Sequence, residues 1–83
     1  MSDPARRVTE ADSIFTEALQ RLGYRGSTGE KLKACGPRIA DIDAVWRAHK
    51  LRNRIAHEVG VQISDAEAVE AMRAFRKAID RLA

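Results

Sequence analysis

Apolar residues recur along the chain at helical spacing, in four blocks set apart by glycine, proline and capping signals. The first block, Val8, Ala11, Ile14, Phe15, Ala18, Leu19 and Leu22, forms one stripe of a helix. That helix starts with Ser2 or Asp3 as N-cap, has Pro4 at its first position and runs to Leu22 before Gly23. Tyr24-Arg25-Gly26 reads as a turn, after which Ser27 and Glu30 have capping-box spacing for a short helix over Thr28 to Cys35, stopped by Gly36-Pro37. A third helix begins near Asp41 or Asp43 and extends to about Val59, with Gly60 as its stop. Ser64 and Glu67 form a second capping box, opening a fourth helix that reaches the C-terminus through Val69, Met72, Phe75, Ile79 and Leu82. The stretch from Val59 to Ile63 reads as a loop. Together these blocks predict an all-α fold: a compact antiparallel bundle of three long helices and one short one, with Phe15, Leu19, Leu51, Ile55, Met72, Phe75 and Ile79 in its core.

The third helix breaks the pattern. On a wheel of about 100° per residue, Ile42, Val45, Trp46, Ala48, Leu51, Ile55, Ala56 and Val59 fill an arc of roughly 220°. Arg52 falls near the middle of that arc, and Asn53 and His57 fall at one edge, stacked with His49. An unpaired guanidinium in a core costs several kcal/mol, so Arg52 must face a partner, a water-filled recess or a subunit interface. Asp12, at the edge of the first stripe, is either a solvated carboxylate or the group that faces Arg52 across the core edge and holds it.

Composition narrows the picture. With 83 residues, the chain from 1 to 83 is one domain. A domain of this size buries only about 60–65% of its unfolded surface, so pairing with a second copy would help it. Fifteen basic against twelve acidic residues leave a formal charge of only +3, a weak argument for nucleic acid by itself. Arg47, Lys50 and Arg54 do gather on the solvent side of the third helix, either as an ordinary solvated face or as contacts to an RNA backbone. The single cysteine, Cys35, excludes an internal disulfide and fits a reducing cytoplasm. No apolar run approaches the roughly 20 residues of a membrane span, and Met1 to Arg7 lacks an apolar signal core. No phosphate loop, nucleophile triad or zinc pattern is present, and His49 and His57, about 12 Å apart along a helix, do not make a shared metal site; no cofactor or metal is expected.

Arg52-Asn53-Arg54-Ile55-Ala56-His57 places four residues between an arginine and a histidine, with a polar residue directly after the arginine. This resembles the motif of the HEPN superfamily of small all-helical domains. The wider segment from Trp46 to Glu58 is similar to a group of bacterial HEPN-like proteins, and helix order extends the resemblance over most of the chain. The resemblance implies a homodimer with the Arg…His element at its interface, and the small core and polar residues on an apolar arc place in that interface the face bearing His49, Arg52 and Asn53. The resemblance also implies metal-independent endoribonuclease activity of a toxin or RNA-processing type, with an antitoxin-like protein as a possible partner. It also admits a non-catalytic dimerisation or interaction module.

The residue types suit RNA cleavage without metal. A 2′-hydroxyl must lose a proton, a 5′-oxygen must gain one and a charged phosphorane must be stabilised; His57 can move protons and Arg52 can stabilise charge. His57 lies in the last helical turn, where the carbonyl end of the helix suits a general acid. Asn53 can orient either the imidazole or a phosphate oxygen. His49 and Asp12 would support the site, with Arg47, Lys50 and Arg54 on the RNA backbone. In a straight helix, however, Arg52 and His57 differ by roughly 7.5 Å in height and about 140° in direction. Convergence on one phosphate needs either a kink or a two-fold interface. In the non-catalytic reading Arg52 bonds loop carbonyls, Asn53 caps the loop before the second helix and His57 caps its own helix.

Overall fold

The computed structural model describes residues 3–83, and it contains four α-helices: α1 (Pro4–Arg21), α2 (Thr28–Cys35), α3 (Ile42–His57) and α4 (Asp65–Leu82). A single 3-10 turn, Gly36–Arg38, follows α2 at the expected Gly-Pro stop. Arg7, near the start of α1, pairs with Asp65 at the start of α4, and Phe15 meets Phe75 at a ring separation of 4.9 Å. These two contacts make α1 and α4 run in the same direction. The seven-residue connection from His57 to Asp65 returns the chain, so α3 is antiparallel to both and α2 packs beside them.

Asp3 is the N-cap of α1, without a side-chain bond; the alternative cap, Ser2, lies outside the described residues. Both capping boxes form. Ser27 Oγ accepts from the Glu30 N–H at 3.2 Å while Glu30 accepts from the Ser27 N–H at 3.0 Å, and Ser64 with Glu67 repeats the arrangement at 3.1 Å in each direction. Gly26, at φ +94°, permits the first box: a Cβ there would lie 2.9 Å from a Glu30 carboxylate oxygen. The Ser27 backbone N–H, then its hydroxyl, hold the Glu30 carboxyl below the ordinary glutamate range. A carboxylate depressed on folding contributes stability above its unfolded value and loses it as pH falls through the folded one. Protection factors of the amides in the first turn of α2, taken relative to the intrinsic exchange rate at each pH, are therefore expected to fall on acidification below the ordinary glutamate range and to stay constant between about pH 6 and 8.

The core contains Val8, Phe15, Leu19, Leu32, Cys35, Val45, Ala48, Ala68, Ala71, Phe75, Ala78 and Leu82, closed at one side by Ile39. Leu51, Ile55 and Ile79 pack against it half-buried. Met72, expected in the core, is instead 38% exposed. The buried line of α4 runs through Ala68, Ala71, Phe75, Ala78 and Leu82, and Met72 projects roughly 60° to one side of Phe75. Val69, Ile14 and Leu22 are likewise exposed, because each stripe is wider than the surface its neighbours cover.

The third helix ends two residues before the expected limit, at His57. Glu58 has extended backbone, and the chain turns at Gly60, φ +76°. Ala56, His57, Glu58 and Val59 are all exposed, so a longer helix would bury nothing in a single chain. Burial pushes the Cys35 thiol up, and its Sγ donates weakly to the Leu32 carbonyl at 3.8 Å. Cys35 is therefore expected to resist thiol reagents in the folded protein and to react fully on unfolding. No helix among the described residues is long and apolar enough to cross a membrane.

Candidate functional site

The burial of Asp12 follows from its register. Val8, Asp12, Phe15 and Leu19 share the face of α1 that meets the bundle, and Asp12 is only 5% exposed. Opposite it, one turn of α3 presents His49, Arg52 and Asn53. The Arg52 Nε lies 3.6 Å from Asp12 Oδ2, and the His49 Nδ1 lies 3.6 Å from Asp12 Oδ1. Arg52 Nη1 donates to Asn53 Oδ1 at 3.5 Å, and Asn53 Nδ2 faces His49 Nε2 at 3.4 Å.

These four contacts close a ring: carboxylate, imidazole, amide, guanidinium and back to the carboxylate. Its directions are mutually consistent. With Asn53 Oδ1 accepting from Arg52, the amide NH2 must point to His49 and donate to Nε2. A neutral His49 then carries its proton on Nδ1, facing Asp12. Each link is long, and Asp12 Oδ1, His49 Nδ1 and Arg52 Nε are buried without a hydrogen-bond partner at normal distance. The ring is thus held by charge and tautomer more than by short bonds. Trp46 backs it edge-on, with its ring 6.0 Å from that of His49.

Of the two readings of Asp12, the structure shows the one in which it holds Arg52. It also ties in His49, whose direct contact with the carboxylate the helix stripes did not specify. The Arg52 side chain keeps 35% of its surface exposed, so the guanidinium is positioned from behind and still reaches solvent.

His57 stands apart. It is the last residue of α3, exposed, and among the described residues its side chain forms no hydrogen bond or ion pair. The helix is unbroken from Ile42 to His57, so no kink brings the imidazole toward Arg52. The basic residues are also on the other side from Arg52. Arg47, Lys50 and Arg54 line a groove between α3 and α4, facing Glu67 and Glu70, and Arg54 pairs with Glu58 at 3.4 Å. By helical register His57 lies within roughly 60° of Lys50 and Arg54, on their side of α3.

One side chain escaped the sequence reading. Lys31, on α2, is 4% exposed and lines the same recess as Asp12 and Arg52. Its signal was available: Thr28, Lys31, Leu32 and Cys35 follow the i, i+3, i+4, i+7 rule, which places Lys31 on the inner face of α2. Comparisons with family models, curated proteins and solved structures return no match to this chain, so the resemblance to HEPN domains rests on the α3 motif and the order of the helices.

Proposed function

We propose that this domain is a metal-independent endoribonuclease that acts as a homodimer, with Arg52 and His57 from different copies completing each site. The observation that carries the reading is the state of Arg52. It is anchored by a buried carboxylate and an oriented Asn53, yet a third of it stays open to solvent, as charge stabilisation of a phosphorane requires. His57, free of internal contacts, is available for proton transfer. Since the unbroken helix keeps the two apart within one chain, a two-fold pairing is the arrangement that joins them. The exposed Ala56 and fully exposed Val59 flank His57 and give such a pairing an apolar surface to cover. Lys50 and Arg54, on the same side as His57, would track the RNA backbone toward it, with Arg47 further along the groove.

The step is a transesterification. The 2′-oxygen attacks the adjacent phosphorus, giving its proton to a base, and the 5′-oxygen leaves with a proton from the acid. The products are a 2′,3′-cyclic phosphate and a 5′-hydroxyl. Incubation with single-stranded RNA in EDTA is expected to give these ends, and strands with all 2′-positions methylated are expected to stay intact.

A second reading, a non-catalytic dimerisation or interaction module, is favoured by the same Asp12 carboxylate, which offsets the Arg52 charge that a phosphate would need. In that case an RNA strand or an antitoxin-like protein would be bound without chemistry. RNA left intact by the dimer in EDTA would establish this alternative over the nuclease.

A further inference from the structure

Between α1, α2 and the Arg52 end of α3 lies a recess of about 400 Å³, bordered by Asp12, Thr16, Glu17, Thr28, Lys31 and Arg52. Its size falls at the lower end of small-ligand sites, roughly 300–1,000 Å³. The charges around it do not balance. Asp12 faces both Arg52 and His49, Glu17 is engaged by Arg21 at 3.0 Å, and the nearby Glu30 is exposed and bonded to the Ser27 N–H. Lys31, although 96% buried by its 4% exposure, has no carboxylate within ion-pair distance among the described residues. Its aliphatic stem is enclosed, while its ammonium is not among the enclosed, unpartnered polar atoms and so opens into the recess, where it can meet an anion.

The remaining groups are donors suited to oxyanions. Thr16 Oγ1 and Thr28 Oγ1 lie 3.2 Å apart across the wall of the recess. One hydroxyl proton bridges the pair, which leaves the other free to point at a ligand. Thr28 is also the first residue of α2, so the positive end of that helix dipole adds to Lys31. We infer that this recess is a phosphate-binding pocket, in which Lys31 supplies the counter-charge, Thr16 and Thr28 the hydroxyl donors and Arg52 the outer rim. It deepens the proposed nuclease reading by giving the substrate strand a second anchoring point beside the cleavage site, but its own test does not need cleavage.

The phosphate can come free in solution or on an RNA end. Inorganic phosphate, adenosine 5′-monophosphate, and a short oligoribonucleotide with either a 5′-phosphate or a 5′-hydroxyl are titrated into 15N-labelled protein at constant ionic strength. Saturable shifts of the Thr16, Thr28 and Lys31 amides are expected with every phosphomonoester. Affinity should fall at least about tenfold in Lys31→Met and return in part in Lys31→Arg, a loss in line with removing one charged partner. Tighter binding of the 5′-phosphate oligonucleotide than of inorganic phosphate marks an RNA end as the source, and the reverse order marks free phosphate. Lys77→Ala, which removes a charge from the exposed face of α4 away from the recess, should bind phosphate as the wild type does, and since binding needs no cleavage the result stays separate from the nuclease reading. Equal shifts with chloride, or unchanged affinity in Lys31→Met, would each overturn the inference.

Discussion

Asp12→Ala is expected to lower stability by about 2–3 kcal/mol, a drop of roughly 10–20 °C in melting temperature for a chain of this size. Asp12 is the only carboxylate in the ring and is buried between His49 and Arg52. Its removal strands a largely enclosed imidazole N–H and a guanidinium that loses its counter-charge on the inner side. The partial exposure of Arg52 keeps the cost at the lower end of that for broken buried pairs, because solvent screens some of the charge. Asp12→Asn should fall between the two, keeping shape and acceptor while losing charge. If the loss comes from the stranded cation, the double substitution Asp12→Leu with Arg52→Met should recover most of it. Thermal unfolding followed by circular dichroism measures all four chains. An Asp12→Ala protein as stable as wild type would show that the long ring contacts carry no energy.

His57→Ala is expected to behave in the opposite way. The side chain is exposed and without internal partners, so melting should shift by less than about 0.5 kcal/mol equivalent, the usual range for surface substitutions. RNA cleavage, in contrast, should fall by roughly 10²–10⁴, the usual contribution of a positioned proton-transfer group. The separation matters because the same substitution in a merely structural histidine would move stability and leave any cleavage untouched. His49→Ala provides that comparison: it should destabilise the ring and reduce activity only through the position of Arg52.

Much of this was legible in the residues. Ser27 with Glu30 and Ser64 with Glu67 specify two helix starts locally, since each box is satisfied by groups three residues apart. Arg52 in the middle of an apolar arc called for a partner, a water-filled recess or an interface, and Asp12 at the edge of the neighbouring stripe was one candidate, which only the packing of α1 against α3 selects. What was not legible depends on which neighbour covers a face. Met72 and Val69 have the right spacing but face a side that no other helix reaches, and Ala56 and Val59 continue the α3 stripe past the last residue that anything covers. Lys31 was overlooked because a lysine on an eight-residue helix reads as solvent-facing, although its register with Leu32 and Cys35 puts it on the inner face of α2. The placement of Arg47 and Arg54 opposite Glu67 and Glu70 likewise needs α4, which local sequence does not supply.

The composite site is tested most directly by mixing two inactive chains. Arg52→Gln and His57→Ala proteins are purified separately, checked for native melting, and assayed alone and after equal mixing with unfolding and refolding, on single-stranded RNA in EDTA. Random pairing makes half of the dimers mixed, and each mixed dimer holds one intact site of two, so the mixture should recover about a quarter of wild-type cleavage while neither variant alone is active. A wild-type protein that leaves RNA intact, variants that cut as well as wild type, or a mixture no more active than its components would contradict the account.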